Sequence, residues 1–585
     1  MKTLLVIGCV SIGLVVAGVI MFVASVDVDR YRPVVVNQLE SALGKPVRLE
    51  HLAIGWRGGI ALELKGLAIS PDAQASFDRQ GHLTGQATTE PTVQVESVSA
   101  VVRLLPLLRK DVQVSSVVLV RPRVHVRRDA QGHIDLMGVA ALGGPAAASG
   151  RTTTVGGTPV SLHIDSLRIE DGSLHWTDAM ATPSAEFWVQ ALDVTLKNVP
   201  QRGTGARADF QARMAVFSAA QNLHVKGRLT IPTKDRAGVL EDVRLDTDFS
   251  RLNVAQFTQA LPTIKDVGLR GLAGDLTVAI DRAALDPQGL AQLAAQVRLV
   301  GGRIAFARLG SPIEELTVEA LAKSGRIELK RCAARFAGGT ITATGVMDHL
   351  DAQPQATLQV TIGKLALDAL LPNPGPNEPQ LRGRLSASFQ GTGQGLALAQ
   401  IAQSLSGQGR LTLSDGMIVN LNVLREVFRR LSILPGLVEK LQARLPASYQ
   451  AKLTARDTVL QPIEVAMTAH DGALSFTNLR VVTDSFELTG TGRVGFDGLL
   501  GCQSTLRIDP ALSAAIIKSV KELQPLTDSE GRLQLPVVIQ GTLPRVAVIP
   551  DVSYVASRVV ATKAEELLGN LLEKVLEKKQ RQTER

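Results

Sequence analysis

What most constrains this chain is a phrase of alternating apolar and polar residues interrupted by a glycine-containing pair. It organises residues 405–495 and recurs upstream. In Leu411-Thr412-Leu413-Ser414-Asp415-Gly416-Met417-Ile418-Val419-Asn420 the alternation runs into Asp-Gly and a short apolar segment follows. A period of two places successive side chains on opposite sides of a strand. Asp-Gly tolerates the positive φ of a two-residue turn, so the phrase predicts a β-hairpin. The same phrase surrounds Asp171-Gly172 (Leu167 to Trp176) and Asp471-Gly472 (Met467 to Phe476), and Gly301-Gly302 carries it between Val297 and Phe306. The spacing of the copies is irregular, which excludes a fixed-period array of the propeller type. The expectation is a mainly β chain, one antiparallel sheet built of hairpins.

The central segments give that sheet two unlike faces. Leu223, Val225, Leu229 and Ile231 fall on one side, with His224, Lys226, Arg228 and Thr230 opposite. Val243, Leu245 and Phe249 face away from Arg244, Asp246 and Asp248, and Leu358, Val360 and Ile362 alternate with Thr357, Gln359 and Thr361. Ile60, Leu62 and Leu64 begin the pattern, and Val93 to Glu96 continues it. One apolar and one hydrophilic face describe a sheet covered or enclosed on a single side.

The ends read differently. Leu4 to Ala24, including Leu14 and Phe22, runs about 21 residues without charge, enough to cross a bilayer as a helix. Lys2 precedes it while Asp27 and Asp29 follow, which favours a cytoplasmic N-terminus. The run is too long for a signal-peptide core, although Val23-Ala24-Ser25 offers a weak cleavage site. Cys9 sits too early in it for a lipoprotein signal. A retained anchor over 1–25 is expected. An amphipathic helix follows from Asp29, as its cap, through Pro33 to Leu43, with Val35, Leu39 and Leu43 on one face. Further helices are expected near 421–431, 436–445 and 509–523, the last capped by Asp509 with Pro510 in its first turn. Residues 534–548 read as strand. Val552, Val555, Val559, Leu567, Leu571 and Val575 then recur at helical spacing, an amphipathic helix free to pack on the sheet, bind another helix or lie on a membrane.

Chemistry is sparse. Gly490-Thr491-Gly492-Arg493-Val494-Gly495 matches a dinucleotide-binding pattern, but Phe496-Asp497-Gly498 follows it, where such a site needs a helix to open. These glycines are expected in a tightly packed strand. The nine histidines show no metal-binding spacing, and no C-x-x-C or G-x-S-x-G occurs. Asp171, Asp415 and Asp471 are accounted for by turn chemistry. No catalytic residue, cofactor or metal is expected. The net charge of +8 is dispersed among 63 basic and 55 acidic residues without aromatic interleaving, which argues against nucleic acid. Cys332 and Cys502 lie far apart in sequence; strand cysteines of this kind are usually free and buried.

In their order along the chain, several segments resemble the AsmA family of bacterial envelope proteins. They are Asp27-Val28-Asp29-Arg30-Tyr31-Arg32-Pro33, Leu43-Gly44-Lys45-Pro46-Val47, Leu405-Ser406-Gly407-Gln408-Gly409-Arg410-Leu411, the Asp415-Gly416 pair, Leu488-Thr489-Gly490-Thr491-Gly492 and Gln540-Gly541-Thr542-Leu543-Pro544. The middle of the chain matches by pattern only. The resemblance implies an inner-membrane anchor, a periplasmic body, and a long sheet curled into a groove like that of the chorein-type bridge-like lipid carriers, with a few capping helices. It divides the chain into the anchor (1–25), a helix and sheet start (26–140), a Gly/Ala/Ser/Thr-rich linker (141–159), a central β-groove (160–371), a proline-rich break (372–380), an AsmA-like β region (381–550) and the terminal helix with its charged tail (551–585). Leu223, Val225, Leu229, Val243, Leu245, Leu358, Val360 and Ile362 would line the groove. Aliphatics rather than aromatics, which are only 3% of the chain, would leave it open for acyl chains. Two function classes follow. One is phospholipid transport between inner and outer membrane, supporting outer-membrane integrity, with an envelope protein engaged by the terminal helix. The other is a non-enzymatic assembly factor whose sheet edge templates outer-membrane protein strands. An outer-membrane barrel is disfavoured by the anchor and by too few aromatics for its girdles.

Overall fold

Alternation on this scale leaves the backbone one way to satisfy its N–H and C=O groups, pairing with neighbouring strands. The computed structural model describes residues 28–43, 45–56, 60–69, 76–77, 83–84, 91–103, 114–128, 153–155, 158–160, 164–179, 185–198, 207–230, 238–260, 268–286, 289–307, 309–350, 353–370, 379–395, 398–431, 436–543 and 545–559. The chain is mainly β, in an antiparallel sheet with few helices. It forms two compact units, residues 1–304 with 321–324, and residues 305–320 with 325–585.

In the first unit Ala185–Lys197, Arg207–Val216, Leu223–Thr230, Gly238–Asp248 and Leu269–Asp286 pair antiparallel, each with the next. Val114–Val120 and Arg123–Arg128 both run parallel to Ile164–Asp178. Helix Arg32–Leu43 lays Leu39 against a cluster of Val47, Leu67, Ile69, Val93, Val95 and Leu119. Asp29 does not cap this helix. It lies in a 3-10 turn, Asp29–Tyr31, and its carboxylate accepts the backbone N–H of Leu52 at 2.9 Å. Within the expected linker, Thr153–Val155 and Thr158–Val160 pair as a small separate sheet. A short 3-10 turn begins at Phe249, with Asp248 accepting from Ser250 N.

The expected hairpins divide into two kinds. Asp471 (φ 50°) and Gly472 (φ 68°) are both left-handed and join Ile463–His470 to Ala473–Val482, because the two-residue turn that suits strand twist needs positive φ at both centres. Asp171 (φ 52°), Gly301 (φ 63°) and Asp415 (φ 52°) are left-handed alone. They lie inside single long strands, Ile164–Asp178, Gly289–Phe306 and Ser406–Val419. The hairpin expectation is corrected there. At Asp171 and Asp415 the register shifts against the neighbouring strand, as in a β-bulge. A bulge inserts one residue, bends the strand and swaps which parity of residue faces inward. That swap is why the alternation breaks at these pairs.

In the second unit the connections carry helices. Val423–Arg429, Leu437–Arg444 and Pro510–Ser519 match the expected positions; Ala447–Thr454 is additional. Asp509 caps Pro510–Ser519, accepting from Ala511 N at 3.0 Å and Leu512 N at 3.1 Å. Phe428, Leu441, Leu453, Leu512 and Ile516 pack onto Leu506, Ile508, Leu535 and Val537 of the sheet. The expected strand 534–548 is a pair, Gln534–Thr542 and Arg545–Pro550. The terminal helix begins over 552–559 and contributes Val555 and Val559 to the same core. That favours packing for its start; the rest of it lies outside the described residues. Among those residues no helix is long and apolar enough to cross a membrane. The expected anchor, with Leu4, Leu14 and Phe22, lies outside them, as do Ile231 and most of the proline-rich break.

Candidate functional site: a continuous apolar sheet face

Residues directly opposite in paired strands project on the same side of a sheet, so register alone shows which side chains share a face. In the first unit one row passes through Leu52, Leu64, Val98, Leu119, Ile169, Val194, Ala212, Val225, Leu245 and Val278, each the direct partner of the next. No ionisable or hydrogen-bonding side chain interrupts it. A second row runs beside it through Leu62, Ala100, Val117, Leu167, Leu196, Phe210 and Gly227. Gly227 stands where a Cβ would come within 2.7 Å of Val243 Cγ2 and 3.1 Å of the Phe210 ring. Glycine here lets Val243 and Phe210 close over the backbone and keeps the row apolar through the bulge at Asp242 (φ 49°).

Cover changes along the first row. Leu52 and Leu119 are buried, Leu119 in the cluster that Leu39 of helix Arg32–Leu43 joins, whereas Leu64, Val98, Ile169, Val194, Ala212, Val225, Leu245 and Val278 are half-buried. A ring chain of Trp176, Phe187, Phe217 and Phe257 lies by the turn end of these strands, its last ring borne by helix Val254–Ala260. The opposite face is an ion-pair lattice of Arg244 with Asp246 at 2.9 Å, Arg207 with Glu241 at 3.5 Å, and Arg228 with Asp242. The Arg244 hydrogen bond, helped by Thr277, holds the Asp246 carboxyl below the usual aspartate range.

The expected lining residues fall on the apolar face in both units. Val225 and Leu245 are direct partners in the first row; Leu223 pairs with Met214, Leu229 with Leu240 and Val243 with Ile280. In the second unit Val360 lies between Ala343 and Phe389, Ile362 between Ile341 and Ala387, and Leu358 between Gly345 and Gly391. Leu358, Val360 and Ile362 are half-buried while Thr357, Gln359 and Thr361 are exposed. Sequence inspection read Leu64 and Ile169 as alternating but did not name them, or Val98, Leu119 and Val194, as lining residues. Their alternation is present, but only pairing register shows that they join the same row.

A hollow of about 520 Å³ in the second unit lies on the hydrophilic face instead. Gln359, Gln390, Gln408 and Thr468 cross it as direct partners, and Arg410 beside them pairs with Glu464. Phe389, Ala466 and Met467 also line it, but the amides, hydroxyls and paired guanidinium make it a mixed surface rather than an apolar one. Gly490 and Gly492 of the dinucleotide-like pattern sit in strand Phe486–Gly495; Gly492 leaves room for the Phe476 ring, which a Cβ would meet at 2.5 Å. Cys332 and Cys502 are free thiols. Among the described residues no three His, Cys, Asp or Glu side chains gather as a metal site.

Long strands with an apolar row unbroken across the first unit and an ionic face opposite define a class, the one-sided β-sheet protein. The family model described as AsmA family matches residues 1–286 and again 275–432, and the chain belongs to the AsmA family. No curated protein matches it.

Proposed function

We propose that this chain is a non-enzymatic carrier of phospholipid, anchored in the bacterial inner membrane by residues 4–24, with its sheet in the periplasm. It moves lipid between inner and outer membrane and so supports outer-membrane integrity. The observation that carries the reading is the row from Leu52 to Val278, uninterrupted by any polar side chain and half-buried over most of its length. A bare apolar face of such extent marks a surface that covers something. Covering it with acyl chain contributes about 25 cal/mol per Å² of apolar area removed from water. The headgroup would remain beside the hydrophilic edge, where its charge costs little. Membership of an envelope family supports the same reading. The strand-templating alternative finds less support: the last described strand, Arg545–Pro550, is short and ends in proline, and such strands discourage pairing with another chain.

Native mass spectrometry of the gently extracted full chain tests this directly. The parent should retain phospholipid in stoichiometric amount, Leu245→Asp and Val360→Asp should lose it, and Gln359→Asp should keep it. A charge on a water-poor wall costs several kcal/mol, about what binding an acyl chain there would return. If the parent carries no lipid, or well-folded Leu245→Asp and Val360→Asp carry as much, the reading fails and strand templating gains.

A further inference from the structure

At one end of the second unit's strands the turns expose large apolar side chains. Phe496 is 45% exposed, Leu499 58% and Leu543 44%. They are held side by side: Phe496 N donates to Gly472 O at 3.0 Å and Leu543 N to Gly498 O at 2.9 Å, tying adjacent turns together. Burial falls toward this end on strands Phe486–Gly495, Leu499–Ile508 and Gln534–Thr542. Leu488, Leu506 and Leu535 are buried under helices, whereas Val494, Leu500 and Val546 are half-buried nearest the turns. Val494, Leu500, Gly541 and Val546 form a direct row, so the apolar face continues bare to the tips. Exposed Arg493 and Arg545 flank them, Arg493 also donating to Asp471 O at 2.9 Å. The neighbouring carboxylates serve their own turns, Asp497 accepting from Leu499 N at 3.0 Å and Asp471 pairing with His470 at 2.7 Å.

We propose that this row of turns is a membrane-docking edge, seating Phe496, Leu499 and Leu543 at the headgroup–acyl boundary of a bilayer. A few side chains on narrow turns present far less than the roughly 800 Å² per partner of a stable protein interface. They do suit a lipid interface, where apolar tips insert and adjacent guanidiniums reach phosphates. The carrier reading gives the edge its purpose, since the apolar face then opens into the bilayer where the tips sit.

An environment-sensitive fluorescent amino acid at Leu499 of the full chain tests it, with vesicles of phosphatidylethanolamine and phosphatidylglycerol. The emission should shift to the blue and be quenched by brominated acyl chains. The same probe at Asp484, 77% exposed on a turn at the other strand end, should do neither. Adding Phe496→Asp and Leu543→Asp should abolish the shift at Leu499 without altering melting. No response at Leu499, an equal response at Asp484, or capture of a protein instead of lipid by a photo-crosslinker at Leu499 would overturn the docking edge. Lipid retention through Val360 is read separately: retention with a silent Leu499 sinks the edge and leaves the carrier, and the reverse sinks the carrier and leaves the edge.

Discussion

The strands around Leu245 and those around Leu506 obey the same alternation and have opposite fates. Around Leu245 the only helix on this side among the described residues is Val254–Ala260, and although Val243 is buried, Val225, Leu245 and Val278 stop at half-burial. Around Leu506 the connections carry helices, and Leu506, Leu512, Ile516 and Leu441 are fully buried against one another. Alternation makes an apolar face; what the connections contain decides whether that face becomes a core or stays a surface. The filled region holds a packed core, and the bare region is the one proposed to bind lipid.

Substitutions can break that contrast, beginning with the largest effect. Leu506→Ala removes a fully buried side chain and should cost about 2–5 kcal/mol in denaturant unfolding. Leu245→Ala should cost less, about 1–2 kcal/mol, since its side chain is only partly buried. Equal losses would mean that both faces are cores. Gly227→Ala comes next: its Cβ would meet Val243 Cγ2 at 2.7 Å and the Val243 Cα at 2.9 Å, and overpacking of this sort costs about 1–3 kcal/mol. A neutral result, read by thermal unfolding, would show that Val243 can move away from Gly227 at no cost. The smallest effect sharpens the filled side. Hydrogen bonds from Arg429 and then Arg430 hold the Glu426 carboxyl below the usual glutamate range. A depressed carboxylate stabilises the fold above its unfolded-state range and loses that contribution as pH falls through the folded value. Helix Val423–Arg429 should therefore lose about 0.3–0.5 kcal/mol toward acid. Glu426→Gln should flatten that slope in hydrogen exchange; an unchanged slope refutes the assignment.

How much of this was legible follows from the same physics. The faces at 223–229 and 356–362 could be read from period two because no bulge falls between the residues that show it. Asp171-Gly172 and Asp415-Gly416 carry the same letters as the true turn at Asp471-Gly472; what separates them is the φ of the glycine, which neighbouring strands set and sequence does not. Asp509 was legible as a cap because a cap is local. Asp29 was not, since the backbone N–H of Leu52, its partner, comes from distant chain. The helix Ala447–Thr454 has little apolar periodicity of its own and is held by burial of Leu453. The exposed tips at Phe496, Leu499 and Leu543 became visible only once pairing placed three turns together.

The central claim is that the bare face holds acyl chains and the filled face does not. A photo-crosslinking amino acid placed in turn at Val225, Val360, Gln359 and Leu506 of the full chain in membranes tests it most directly. Val225 and Val360 should capture phospholipid; Gln359, on the wet face, and Leu506, beneath helices, should capture none. Capture at Gln359 equal to that at Val360, or none at Val225 and Val360 in a folded chain, would contradict the account.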